Sequence, residues 1–154
     1  MKYVERVLQP GETVIYVTSL HWLIYMKAVA LLLLALICFV ASAKVDDSVA
    51  VMALQIVAGI FALMSLLAAL GALIRRATTE LAITDRRVIF KTGILQRHTI
   101  EINRSKVETI GVNQSILGRL LSYGTVIVRG TGGSFEPIPF IGDPLTFRSH
   151  ITAG

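Results

Sequence analysis

The stretch Val49-Ala-Val-Met-Ala-Leu-Gln-Ile-Val-Ala-Gly-Ile-Phe-Ala-Leu-Met-Ser-Leu-Leu-Ala-Ala-Leu-Gly-Ala-Leu-Ile74 carries no charged residue from end to end. A helix needs roughly 20 apolar residues to cross a hydrocarbon core about 30 Å thick, and this run exceeds that length. Towards the N-terminus, Ala28 to Ala43 is equally free of charge, and Trp22 to Met26 extends it across Lys27. The sequence therefore predicts a two-helix transmembrane hairpin over residues 22–74, with spans at about 23–43 and 49–74 joined by the loop Lys44 to Ser48. A cleaved leader would need a short apolar region close to the N-terminus. Here the first run starts late and a second follows at once, so both are read as permanent.

Composition agrees with that reading. The 154 residues are 54% hydrophobic and only 16% charged, too few charges to cover the surface of a soluble protein. Basic residues near helix ends resist translocation. Lys2, Arg6 and Lys27 precede or begin the first span, Arg75 and Arg76 directly follow the second, and the loop sets Lys44 against Asp46 and Asp47. Both termini are thus expected on the cytoplasmic side of the membrane. Trp22, Tyr25 and Lys27 are expected as interface anchors, the rings at headgroup level and the ammonium snorkelling outward.

Small residues recur in both spans. Ala28, Ala35 and Ser42 repeat every seven residues with Cys38 on the same face, and Ala58, Ala62, Ser65, Ala69 and Ala72 alternate four- and three-residue steps. Such stripes let backbones approach closely where lipid removes the hydrophobic drive, so they are expected to pack the helices. No Asp, Glu, His or Arg interrupts either span, so no proton relay or ion path is visible. Cys38 is the one cysteine, which excludes an intramolecular disulfide.

Either side of the hairpin the pattern changes. Residues 1–21 hold a turn at Pro10-Gly11 and a β-branched run, Thr13 to Thr18, which reads as a strand pairing with the C-terminal sheet or as an interfacial segment. From Ala77, short strands are expected at Thr79 to Thr84, Arg87 to Lys91, Ile94 to Ile102, Val107 to Val112, Gly124 to Arg129 and Phe135 to Ile141. Gln114 to Leu121 reads as a helical turn and Gly130 to Gly133 as a hairpin turn. Asp143 is expected to N-cap a final helix with Pro144 at its first position, burying Leu145, Phe147 and Ile151. Antiparallel strands closed by one helix predict a small β-barrel or orthogonal sandwich, and the chain as a whole an α+β membrane protein.

Leu81-Ala-Ile-Thr-Asp-Arg-Arg-Val-Ile-Phe-Lys-Thr-Gly-Ile-Leu95, Glu101-Ile-Asn-Arg-Ser-Lys-Val-Glu108, Asn113-Gln-Ser-Ile-Leu-Gly-Arg-Leu-Leu-Ser-Tyr-Gly-Thr125 and Gly130-Thr-Gly-Gly133 together resemble the bacterial pleckstrin-homology (PH)-like family over about residues 77–154. Leu8-Gln-Pro-Gly-Glu12 ahead of a two-span hairpin is similar to the family's YdbS-like membrane members. The resemblance implies two packed antiparallel sheets capped by a C-terminal helix, and it implies no activity. Eukaryotic relatives of the fold often bind phosphoinositide headgroups through basic residues near the first strand pair.

The chemistry-bearing residues point to binding. His21, His98 and His150 have no acidic or cysteine partner at ligand spacing, the Gly130 to Gly133 turn lacks the Lys-Ser/Thr of a phosphate loop, and no nucleophile motif occurs. No catalytic residue, metal or cofactor is expected. From Arg75 onwards eleven Lys or Arg face six Asp or Glu, which carries the whole net charge of +5. A tethered basic domain gains roughly 1 kcal/mol per surface cation at an anionic leaflet. Arg75, Arg76, Arg86, Arg87 and Lys91 are the headgroup candidates, unless they only set topology and solubility. Nucleic acid is disfavoured because no stacking platform accompanies the charge. The sequence thus reads as a non-enzymatic, membrane-anchored binding or scaffold module for membrane lipids or a membrane-protein partner, or as a subunit of a homo-oligomeric, ring-like assembly.

Overall fold

The computed structural model describes residues 3–93, 98–131, 133–134 and 137–152. The chain forms two compact units, one from Met1–His21 with Arg75–Gly154 and one from Trp22–Ile74. The first 21 residues therefore belong with the C-terminal strands rather than standing apart.

In the first unit, β1 (Val14–Thr18), β2 (Glu80–Thr84), β3 (Arg87–Thr92) and β4 (His98–Asn103) make an antiparallel sheet in that order. Thr18 pairs with Leu81 and Val17 with Ala82, so the helical unit is inserted between two neighbouring strands. A second sheet holds β5 (Val107–Asn113), β6 (Tyr123–Gly130), β7 (Gly133–Ser134) and β8 (Ile138–Gly142), with β5, β7 and β8 all paired to β6. The sheets meet at one corner through a Leu20–Ile141 bridge and a hydrogen bond from the His21 N–H to the Phe140 carbonyl. Among the described residues they form no closed barrel, which leaves the sandwich of the two expected architectures. The expected third strand begins in residues 94–97, outside the described residues, as do Gly132 of the hairpin turn and Phe135 and Glu136 of the last strand.

Burial follows strand alternation only where one face is covered. In β6, Gly124, Val126 and Val128 are buried and their neighbours are not. In β2, Leu81, Ala82, Ile83 and Thr84 are all buried. The reason is α1 (Val4–Val7), whose Val4 packs with Ala82 and Ile89 on the sheet's outer face, beside Tyr3, Val7 and Val17. Between the sheets lie Leu81, Ile83, Val126, Val128 and Ile141, and α5 (Pro144–Thr152) adds Phe147, which is fully buried, and Ile151.

The C-terminal helix departs from its sequence reading at two points. Leu145 is 51% exposed, because the face turned inward carries Pro144, Phe147 and Ile151. Asp143 sits at φ +46°, in the left-handed region rather than the extended conformation of an ordinary N-cap. Its carbonyl accepts the Phe147 N–H, while its own N–H donates to the Ser122 carbonyl.

The second unit is the hairpin. A 3-10 turn at Trp22–Tyr25 leads into α2 (Met26–Ser42), and α3 runs from Ser48 to Thr78. At 1.5 Å per residue the 31 residues of α3 measure about 46 Å. It thus continues past Ile74 through Arg75 and Arg76. The buried residues of the pair are Ala28, Ala35 and Ser42 on α2 and Ala58, Ser65 and Ala72 on α3. The Ser65 hydroxyl donates to the Ala28 carbonyl at 2.8 Å. One heptad from that bond along each helix lie Ala35 and Ala58, both buried. Cys38 and Ala69 are half-buried, but Ala62 is exposed and Phe61 takes the half-buried phase in its place.

Phe147→Ala should cost about 3–5 kcal/mol, the usual loss for emptying a buried aromatic site. Leu145→Ala should change thermal unfolding little, and equal effects would contradict the orientation of α5. Ala58→Leu should cost about 1–3 kcal/mol by overpacking the helix seam. Ala62→Leu should be tolerated, which thermal unfolding in mild detergent would measure.

Candidate binding site

Two loops far apart in sequence interlock on the outer edge of the first sheet. Gly11, at φ +76°, turns the chain so that Glu12 points into the protein. The Arg87 guanidinium meets its carboxylate with two bonds, Nε to Oε1 at 2.9 Å and Nη2 to Oε2 at 2.8 Å. Its other N–H groups donate to the Val7 carbonyl and to Glu101, both at 2.6 Å. Thr84 Oγ1 donates to Glu12 at 2.7 Å and the Gln9 N–H at 2.8 Å. Thr13 and Asp85 close the same junction, the Thr13 N–H donating to the Asp85 carboxylate and the Asp85 N–H to the Thr13 carbonyl. The hydrogen bond from Arg87, against the opposing effect of burial, holds Glu12 at about 2. Arg87 is raised in turn, chiefly by its bond to Glu12.

This junction reorders the basic candidates. Arg87 is engaged inside the protein, its side chain only 11% exposed. Arg86 is half-exposed and lies 3.9 Å from Asp85. Lys91 sits 5.5 Å from the centre of the Tyr3 ring, a cation–π contact that ties β3 to the N-terminal segment. Arg75 and Arg76 are exposed on the last turns of α3. Sequence reasoning could not see that Arg87 is used up, because its partner lies 75 residues away. Of the interface candidates, Trp22 and Lys27 are exposed and Tyr25 is half-buried. His21 is stacked on Tyr123 and His150 on Tyr16, which accounts for two of the three histidines as packing groups. Burial, and secondarily the Asp143 carboxylate, pushes the Tyr16 phenol up.

On the second sheet an open groove of about 930 Å³ runs between the β5–β6 connection, β8 and α5. Arg119 and Arg148 line it, with Tyr123, Phe140, Leu145 and Asn113, and no Asp or Glu is among the described lining residues. Tyr123 and Phe140 stack with centroids 6.1 Å apart. Ser122, Phe140 and Asp143 are the non-glycine residues with positive φ among those described, and of these Phe140 lines the groove. Left-handed backbone at such residues costs on the order of 1 kcal/mol and concentrates at functional sites. The short helix α4 (Ile116–Leu120) forms the rim.

The sequence marked Gln114 to Leu121 only as a helical turn. Its available signal was composition, since Ile116-Leu-Gly-Arg-Leu-Leu121 holds more large apolar residues than one short helix can bury on one side.

A family model described as the bacterial PH domain matches residues 15–151. The match takes in β1 and both long helices, and so begins well before Ala77, where the motif resemblance starts. No curated protein and no solved structure matches the chain.

The Glu12–Arg87 junction has a defined pH dependence. Because the folded value of about 2 lies below the ordinary 4.5, ionised Glu12 contributes stability that is full above pH 4.5 and is lost as the pH falls towards 2. Glu12→Gln should lower stability at neutral pH by about 3 kcal/mol, since it leaves the largely buried guanidinium with the more exposed Glu101 as its remaining carboxylate among the described residues. It should also flatten the pH profile of thermal unfolding between those limits. An unaltered profile would remove Glu12 from the junction's energetics.

Proposed function

Since the chain belongs to the bacterial PH domain family, we propose that it is a non-enzymatic binding module anchored in the bacterial cytoplasmic membrane by α2 and α3. The observation that carries the anchoring is the bare apolar surface of the two helices. Trp22–Ser42 and Ser48–Thr78 are long and apolar enough to cross a membrane, and only 11% and 17% of their most apolar windows are buried. The core helix of a soluble protein would be covered by its own chain. Here Leu32, Leu33, Phe39, Leu63, Leu66, Leu67 and Leu70 all face outward, a surface that hydrocarbon covers without cost.

Strand pairing supports a topology with both termini cytoplasmic. Thr18 and Leu81 are partners on adjacent strands, one just before Trp22 and the other just after Thr78. The chain therefore leaves for the helical unit and returns from it at one edge of one sheet. Arg75 and Arg76 at the end of α3 mark that side as cytoplasmic by the positive-inside rule. There the domain would meet anionic headgroups or a membrane-protein partner. Of the five candidates near β2 and β3, Arg75, Arg76 and Arg86 are exposed and open to such contact, Lys91 is half-buried over the Tyr3 ring, and Arg87 serves the fold.

In a Cys38→Ser background, Ser48→Cys should label only from outside intact cells and Thr152→Cys only after access to the cytoplasm. Labelling of both from one side would end the hairpin reading. The mass of the chain purified in mild detergent then separates a lone anchor from a homo-oligomer, whose subunits would have to cover the same leucines.

A further inference from the structure

The rim of the groove is apolar and exposed by construction. Ile116 is 88% exposed, Leu117 61% and Leu120 78%, on a helix that is firmly held rather than frayed. Ser115 Oγ accepts the Gly118 N–H at 3.0 Å, and the Gln114 side-chain amide donates to the carbonyls of Gly118 and Tyr123 at 3.3 and 3.1 Å. Gly118 lies so close to β6 that a Cβ there would stand 2.7 Å from the Tyr123 carbonyl oxygen. The turn is clamped by its polar side, and its large side chains have nowhere to go but outward.

Charge identifies what they meet. Arg119 stands among these apolar residues, Arg148 of α5 also lines the groove, and neither forms an ion pair with a described residue. With no carboxylate in the described lining, the groove complements an anion, and guanidinium groups suit phosphate oxygens. Apolar residues interleaved with cations form the pattern of segments that lie in the headgroup–acyl boundary, where the chains enter about 5–10 Å. A domain tethered to a bilayer meets that surface at high effective concentration, so a small contact suffices.

We propose that Ile116, Leu117 and Leu120 enter the bilayer interface while Arg119 and Arg148 receive the headgroup phosphate of an anionic phospholipid in the adjoining groove. The inference rests on the membrane-anchored reading above and adds a docking site distinct from the basic residues near β2 and β3.

The test uses the full chain with Cys38→Ser, spin-labelled at Leu120→Cys or, as reference, at Leu66→Cys. It is reconstituted into vesicles of phosphatidylcholine alone or mixed equally with phosphatidylglycerol. Collision with oxygen reports hydrocarbon and collision with a nickel chelate reports water. The Leu120 label should shift severalfold towards oxygen only when phosphatidylglycerol is present, and Arg119→Glu with Arg148→Glu should reverse the shift. Thermal unfolding and the Leu66 readout of that double variant should match the parent, which excludes misfolding as the cause. A Leu120 label open to nickel in both membranes would overturn the proposal. So would a label sheltered from both reagents, the sign of a protein partner or a second copy, or an oxygen shift indifferent to phosphatidylglycerol and to both arginines. Nickel access at Leu66 would instead reject the anchoring itself.

Discussion

The buried pair of Glu12 and Arg87 joins the parts of the chain that the helical insertion separates. Residues ahead of the hairpin and residues behind it must build one sheet, so the ends of a long excursion have to be brought back together. Main-chain pairing of β1 with β2 sets the register, but an edge strand held by a ladder alone can slip or fray. The bidentate contact, with Thr84, Gln9 and the Val7 carbonyl satisfying the remaining polar atoms, fixes the loop before β1 against the β2–β3 turn. A charge pair removed from water gains little net energy over apolar packing but tolerates no wrong partner, and that selectivity suits a junction closed across an insertion.

From this junction the rest of the domain follows in order. With β1 in place, α1 covers the outer face of the first sheet, and β2 becomes buried on both sides. The continuation of β1 through Leu20 bridges to β8, and α5 fills the space between the sheets with Phe147. The polar and apolar demands of this interior are met locally. The groove behind α4 differs, combining strained backbone, cations without carboxylates and a clamped apolar rim. Local energetic cost accumulates there, on the surface the fold leaves open.

What the sequence by itself determined was whatever depends on local pattern. The two apolar runs specify helices because their length and lack of charge do not depend on partners, and the strands from Thr79 onwards follow from β-branched runs between turn residues. The start of α5 at Pro144 was legible because proline is suited to a first helical turn. Tertiary structure decided everything that depends on phase or on distant partners. Small residues in α3 fit two neighbouring stripes, which share Ala58, Ser65 and Ala72, and only the packing against α2 separates half-buried Phe61 from exposed Ala62. Leu145 and Phe147 are equally apolar in sequence, yet the rotation of a nine-residue helix turns one outward and the other into the core. Arg86 and Arg87 are adjacent and chemically identical, but one faces solvent and the other is held by carboxylates from two other segments. Side-chain identity limits what each residue can do, and contacts made across many tens of residues decide which of those possibilities it takes.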